Sequence, residues 1–243
     1  MKKRIAVAYL IGIHFFLVVV LLRSDFIIRV QRKFTPQQTV LPPEITKYFY
    51  RILRYHKRMD NNVPNGAIVF IGDSITQGLC VSAVASPSVN YGIGSDTTAG
   101  VLQRLPFYKS IKRARAIVIA IGINDIKRRS NDKILENYRF IIDQLPKTTP
   151  VIFSAVLPLD EEVREEWKGY NQGYIKDLNS RLKHLVSEAE NLFFIDAGPL
   201  LVDENGNLSD IYYDADGLHL NSKGNTIWIN VLRKGLQAAQ QEH

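Results

Sequence analysis

The chain reads as an α/β three-layer sandwich on a parallel sheet of about five strands, preceded by one N-terminal transmembrane helix. Three observations predict this. From residue 66 onward, short apolar runs alternate with stretches of helical periodicity. Those runs are apolar without a break, as strands covered on both faces are. Near the N-terminus, a single uncharged run of 18 residues stands apart from the rest.

That run, residues 5–22 (IAVAYLIGIHFFLVVVLL), reaches roughly 27 Å as a helix, enough to cross a bilayer core. Lys2, Lys3 and Arg4 precede it and Arg23 closes it. It ends Leu-Leu-Arg-Ser-Asp, without the small residues a signal peptidase needs, so residues 1–23 are expected to be an uncleaved signal anchor. His14, mid-span, reads as a neutral histidine without a role. Three Lys/Arg flank the run on one side and four follow within about 15 residues. The charge bias therefore barely decides, and the short N-tail favours export of the domain to the extracytoplasmic side.

Residues 24–45, with Pro36, Pro42 and Pro43, read as an extended linker, and 46–243 as the domain. The chain carries +7 overall, but seven basic residues against Asp25 place +6 of it in residues 1–36. The other 207 residues are left with +1. The basicity therefore concerns a membrane, and no nucleic-acid partner is expected. The single cysteine, Cys80, excludes an internal disulfide framework and a multi-thiolate metal site. Residues 45–59 (ITKYFYRILRYHKRM) show helical spacing with cations between the apolar positions. They read as a solvated first helix, or alternatively as a helix lying on anionic lipid.

Strands are expected at residues 67–71, 117–121, 151–156 and 192–195, with a weaker fifth at 89–93. Helices are expected at 97–105, 134–145, 174–189 and 227–238. Open parallel sheets collect chemistry at the carboxyl ends of their strands. Gly72-Asp73-Ser74 follows the first strand, Gly94-Ser95-Asp96 the weaker one, and Gly122-Ile123-Asn124-Asp125 the next. Past the last strand lies Asp214-Ala215-Asp216-Gly217-Leu218-His219.

A serine hydroxyl needs a base, and the base works best when a carboxylate orients it. Ser74 opens a helix directly after a strand, where backbone donors and a positive field favour an anion. His219 is the one histidine in a loop with carboxylates just upstream. Asp216 can reach its Nδ1 across one turn, and Asp214 is a weaker rival. Asn124 can offer an amide N–H to a developing oxyanion, with the backbone N–H groups of Ser74 and the Gly94–Ser95 turn as further donors. Gly-Asp-Ser alone should occur by chance in roughly one such chain in twenty. The weight lies in the joint order of these blocks. Thr76 replaces the second glycine of a Gly-x-Ser-x-Gly elbow, and no Walker, dinucleotide or zinc motif is present.

Over residues 66–235 these blocks resemble the SGNH (GDSL-type) hydrolases. Gly72-Asp73-Ser74 is similar to the family's first block, residues 90–98 to its second, Gly122–Asp125 to its third and Asp216–His219 to its fifth. The resemblance implies a flavodoxin-like fold and ester hydrolysis through an acyl-enzyme, with neither cofactor nor metal. Ser74 would be the nucleophile, His219 the base and then the acid, and Asp216 its orienting partner. Ser74 N–H, Ser95 N–H and the Asn124 side chain would form the oxyanion hole. One departure is Ser95, where the family usually has glycine. Its N–H remains available, though a positive φ there costs a serine on the order of 1 kcal/mol. Its hydroxyl could narrow the acyl pocket.

The second block resembles platelet-activating-factor acetylhydrolase-like and lysophospholipase-like esterases. This implies a lipid or short-chain acyl ester as substrate. Alternatives are carbohydrate O-acetyl-ester hydrolysis, O-acyl transfer in the cell envelope, and a non-catalytic glycan- or lipid-binding member. Residues 160–167 (DEEVREEW) read as a solvated loop that starts the next helix with acidic residues, or as a lid.

Overall fold

A computed structural model describes residues 9–10, 13–14 and 45–241. The chain divides into two compact units, Met1–Pro43 and Glu44–His243. The expected anchor at 5–22 lies outside the described residues apart from Tyr9, Leu10, Ile13 and His14, and so does the linker apart from Ile45. Among the described residues, no helix is long and apolar enough to cross a membrane.

The second unit is built on a five-stranded parallel sheet in the order β2-β1-β3-β4-β5. The strands are β1 (Ile68–Gly72), β2 (Ser88–Gly92), β3 (Ala116–Ala120), β4 (Val151–Ser154) and β5 (Leu192–Ile195). This is the flavodoxin-like order, whose switch point lies between β1 and β3. Each expected strand appears, β5 at the expected residues and the others displaced by a residue or two at their ends. β4 stops early because the side-chain amide of Asn179 takes over the backbone of Val156. It accepts from the Val156 N–H and donates to the Val156 carbonyl, both at 2.9 Å.

Central strands β1, β3 and β4 are buried along nearly their whole length, which explains their unbroken apolar runs. Edge strand β2 alternates between buried and half-buried positions, so its sequence signal is weaker. Alternate residues of β1 feed two cores. Val69 and Ile71 pack with Phe49, Val101, Tyr138 and Leu178 on one face. Ile68 and Phe70 pack with Val84, Trp228 and Leu232 on the other. The first face is covered by α1 (Lys47–Met59), α4 (Thr98–Arg104), α5 (Asn131–Gln144) and α6 (Lys176–Val186). The second carries α3 (Val81–Val84) and the long α7 (Ser222–Gln241).

Local chemistry sets the helix starts. Thr46, Thr97 and Ser130 accept from Phe49, Gly100 and Lys133 N–H at the N-termini of α1, α4 and α5. The expected helix 174–189 begins only at Lys176, because Asn171–Ile175 forms a wider π-type turn before it.

Candidate active site

Register places the loops. Gly72, Gly92 and Ala120 stand side by side across β1, β2 and β3, so the chain leaves all three strands at one level. The short helix α2 (Ser74–Gln77) then packs directly over the strand ends. A Cβ on Gly92 would fall 2.3 Å from the Gln77 nitrogen, and one on Gly72 2.3 Å from the Ala120 oxygen, so both positions require glycine. Asp73 caps α2 by accepting from Ile75 N–H at 3.0 Å. Its carboxyl is buried, and burial pushes it up to about 7, with the negative charges of Asp96 and Asp125 adding to the shift.

Ser74 meets His219 across the end of the sheet. His219 Nε2 lies 2.8 Å from Ser74 Oγ, and Nδ1 is hydrogen-bonded to Asp216 Oδ2. The loop that carries the pair is tightly turned. Ala215 and Gly217 sit at φ 55° and 70°, Asp214 N–H donates to the His219 carbonyl at 2.9 Å, and Tyr213 pairs with Leu220. Asp216 Oδ1 accepts from the N–H groups of Leu218 and His219 at 3.0 and 2.9 Å. Burial opposes ionisation of Asp216, but these two amides and the imidazole outweigh it and hold the carboxyl below its ordinary value. Asp214 is exposed and meets His219 backbone to backbone, with its N–H on the His219 carbonyl rather than on the imidazole.

Ser95 and Asn124 occupy neighbouring loops. Asn124 Nδ2 donates to the carbonyl of Asp96, the residue after Ser95, at 3.0 Å. A side-chain amide has two hydrogens, so one remains for a ligand. Ser95 sits at φ 62°, in the left-handed region that favours glycine. The turn is held by Gly94 N–H, which donates to Gln77 Oε1 at 2.7 Å.

Sequence reasoning missed the buried network beneath these loops. Arg104, fully buried, donates from Nε to Asp96 at 2.7 Å, and from its other nitrogens to the Gly72 and Tyr91 carbonyls and Tyr108 Oη. One guanidinium thus joins the ends of β1 and β2 to the Ser95 turn. Burial lifts the Asp96 carboxyl to about 6, against the pull of Arg104. Asp125 accepts from Thr98 N–H and Oγ1 and pairs with Arg129, while Asn137 donates to Thr98 Oγ1. This ties the Asn124 loop to the start of α4. A signal existed for Arg104, since it shares a helical face with Val101 and Leu105, an odd place for a charge.

Residues 160–167 bear out the solvated loop in part, since Glu162, Val163, Glu165 and Glu166 are exposed. The segment forms only a 3-10 turn at Glu165–Trp167 and does not start α6, which begins at Lys176, and it packs against the His219 loop. Asp160 is buried and accepts from Tyr213 Oη at 2.6 Å, and its N–H donates to the Gly217 carbonyl at 2.8 Å. Arg164 donates from Nε to the Asp216 carbonyl at 2.5 Å. Trp167 is buried, with Lys127 of the Asn124 loop 4.1 Å from its ring centre. The acidic run braces the two loops it lies between.

Known proteins resemble the chain over its folded unit. The chain is 27% identical over 194 residues to the rat (Rattus norvegicus) platelet-activating factor acetylhydrolase IB subunit alpha1, covering 72% of this chain and 78% of that one. Among solved structures it resembles a Streptococcus pneumonia protein provisionally named for platelet activating factor, with TM-score 0.72 and 26% identity over 78% of this chain and 93% of that one. It also resembles the lipase/acylhydrolase of Enterococcus faecalis, with TM-score 0.60 and 26% identity over 72% and 96%. The model of the GDSL-like lipase/acylhydrolase family matches residues 70–227, most of the folded unit, and the chain belongs to that family of carboxylic-ester hydrolases.

Proposed function

We propose that the protein cleaves an acyl ester, lipid or short-chain, through a covalent intermediate on Ser74. The observation that carries this reading is the contact of His219 Nε2 with Ser74 Oγ at 2.8 Å, with Asp216 bonded to the opposite ring nitrogen. Ser74 Oγ attacks the carbonyl carbon while its proton passes to His219 Nε2. The tetrahedral oxyanion is received by Ser74 N–H, Ser95 N–H and Asn124 Nδ2. As the C–O bond breaks, His219 returns the proton to the leaving alcohol, and the acyl group stays on Ser74. Water then attacks the acyl-enzyme with His219 again as base, releasing the acid and regenerating Ser74. Asp216 holds the imidazole in the tautomer this requires and offsets the charge it gains.

The same reading places residues 5–22 in a membrane as an anchor, with the hydrolase on the extracytoplasmic side. The motive is the uncharged run and its basic flanks. Protease accessibility in intact cells tests the side.

Turnover of p-nitrophenyl esters of increasing acyl length, measured beside a panel of acetylated glycans, tests the substrate class. The account expects hydrolysis of acyl esters and a fall of about 10⁴-fold or more for Ser74→Ala. Turnover confined to acetylated glycans would transfer the assignment to carbohydrate O-deacetylation. An acceptor-dependent acylated product would mark a transferase.

A further inference from the structure

We propose that the outer face of α1 docks on an anionic bilayer surface. Phe49, Leu53 and His56 face the core and are buried. On the opposite side, Lys47, Arg51, Arg54 and Arg58 are exposed at positions i, i+4, i+7 and i+11. That spacing lines four cations in one row of roughly 16 Å.

The helix contains no acidic residue, and among the described residues none of the four cations meets a carboxylate. Like charges three and four apart destabilise a helix on their own. A flat anionic surface along the row relieves that repulsion. The surroundings suit a lipid headgroup layer. Tyr55 and Met59 are exposed beside the row, with Arg58 4.9 Å from the Tyr55 ring centre. Phe107 is exposed under Lys57 Nζ, 3.1 Å from its ring centre. Tyrosine and cations with apolar stems are the side chains that settle at such an interface.

Covalent continuity selects the bilayer over other polyanions. The uncharged run ends at Leu22, and the chain from there to Ile45 can extend at most about 80 Å. If residues 5–22 sit in a membrane as proposed above, α1 is tethered within that reach of lipid, whereas a nucleic acid would have to be recruited.

Docking would also bring the site to the membrane. Gln77 donates to Tyr48 Oη of α1 at 2.6 Å and accepts from Gly94 N–H at 2.7 Å, so α1 and the Ser95 turn share one wall. That the bilayer then supplies the ester rests on the hydrolase reading; the docking does not, and takes from the proposed function only the anchor.

The test uses the full chain with Tyr55→Trp, reconstituted in vesicles of phosphatidylcholine alone or with about a third phosphatidylglycerol. Brominated acyl chains quench the new tryptophan when α1 lies on lipid. Quenching should rise with phosphatidylglycerol and fall in 0.5 M salt, where screening shortens to a few ångströms. Each cation contributes about fivefold to docking, so Arg51→Gln/Arg54→Gln should lower the docked-to-free ratio about 25-fold. Changing all four should return quenching to the phosphatidylcholine level, with thermal unfolding confirming an intact fold. Should the fourfold variant fail to fold, the double variant and the salt series decide. Quenching indifferent to phosphatidylglycerol, or unchanged in the double variant, overturns the proposal. So does row-dependent binding of an oligonucleotide without any response to lipid.

Discussion

Arg164 donates from Nε to the Asp216 carbonyl at 2.5 Å and holds Nη2 3.5 Å from the Asp216 carboxylate. Asp216, bonded to the His219 imidazole, is thus held from behind by the acidic segment after β4. Arg164→Gln should lower kcat about tenfold with KM little changed, because it loosens alignment of the reacting groups rather than substrate contacts. Steady-state kinetics checks this, with Arg164→Lys recovering part of the loss. Equal falls in activity and folded fraction would reduce Arg164 to a structural brace.

Ser95 at φ 62° carries strain that glycine would not. Ser95→Gly should keep kcat and leave stability equal or higher by up to about 1 kcal/mol, since relief of strain competes with the greater freedom of unfolded glycine. Ser95→Val, β-branched in the same region, should lose more than about 1 kcal/mol. Urea midpoints of the three proteins, with activity over an acyl-length series, distinguish strain from a pocket role for the hydroxyl.

Asp73 gives a pH dependence of stability. Its carboxyl is raised to about 7 in the folded chain from an ordinary value near 3.8, by burial first and then by Asp96 and Asp125, with Arg104 and the Ile75 amide opposing. The unfolded chain therefore releases this proton first. Stability falls as pH rises from about 4 to 7 and stays reduced above that. Asp73→Asn keeps an oxygen for the Ile75 amide and removes the ionisation. It should stabilise the protein by about 2 kcal/mol more at pH 8 than at pH 5, read from paired denaturation curves. A gain independent of pH would contradict this.

Arg104→Met should be among the most damaging single changes outside the reacting residues. It leaves Asp96 buried without its partner and releases the Gly72 and Tyr91 carbonyls, a loss on the order of 3–5 kcal/mol. Replacing both partners, Arg104→Met with Asp96→Asn, should recover part of that loss, which a double-mutant cycle measures.

Features with a local signature were legible in the sequence. The three central strands were visible because such strands are apolar on both faces, the edge strand β2 more faintly, and Ser74, His219, Asp216 and Asn124 because each follows a strand or ends a tight turn. The ties between distant loops were hidden. Nothing near Arg104 names Gly72, 32 residues away, and nothing near Arg164 names Asp216, 52 residues on. Acidic neighbours made residues 160–167 look solvated, although Asp160 and Trp167 are buried. Ser95 was legible as a departure, but its positive φ became visible only in the fold.

The central claim is that Ser74 carries the acyl group. The most direct measurement is to label the full chain with a fluorophosphonate and locate the adduct by peptide mass spectrometry. The account predicts one stoichiometric adduct on Ser74, lost in Ser74→Ala and slowed in His219→Ala. An adduct on another residue, or undiminished labelling and ester turnover in Ser74→Ala, would contradict it.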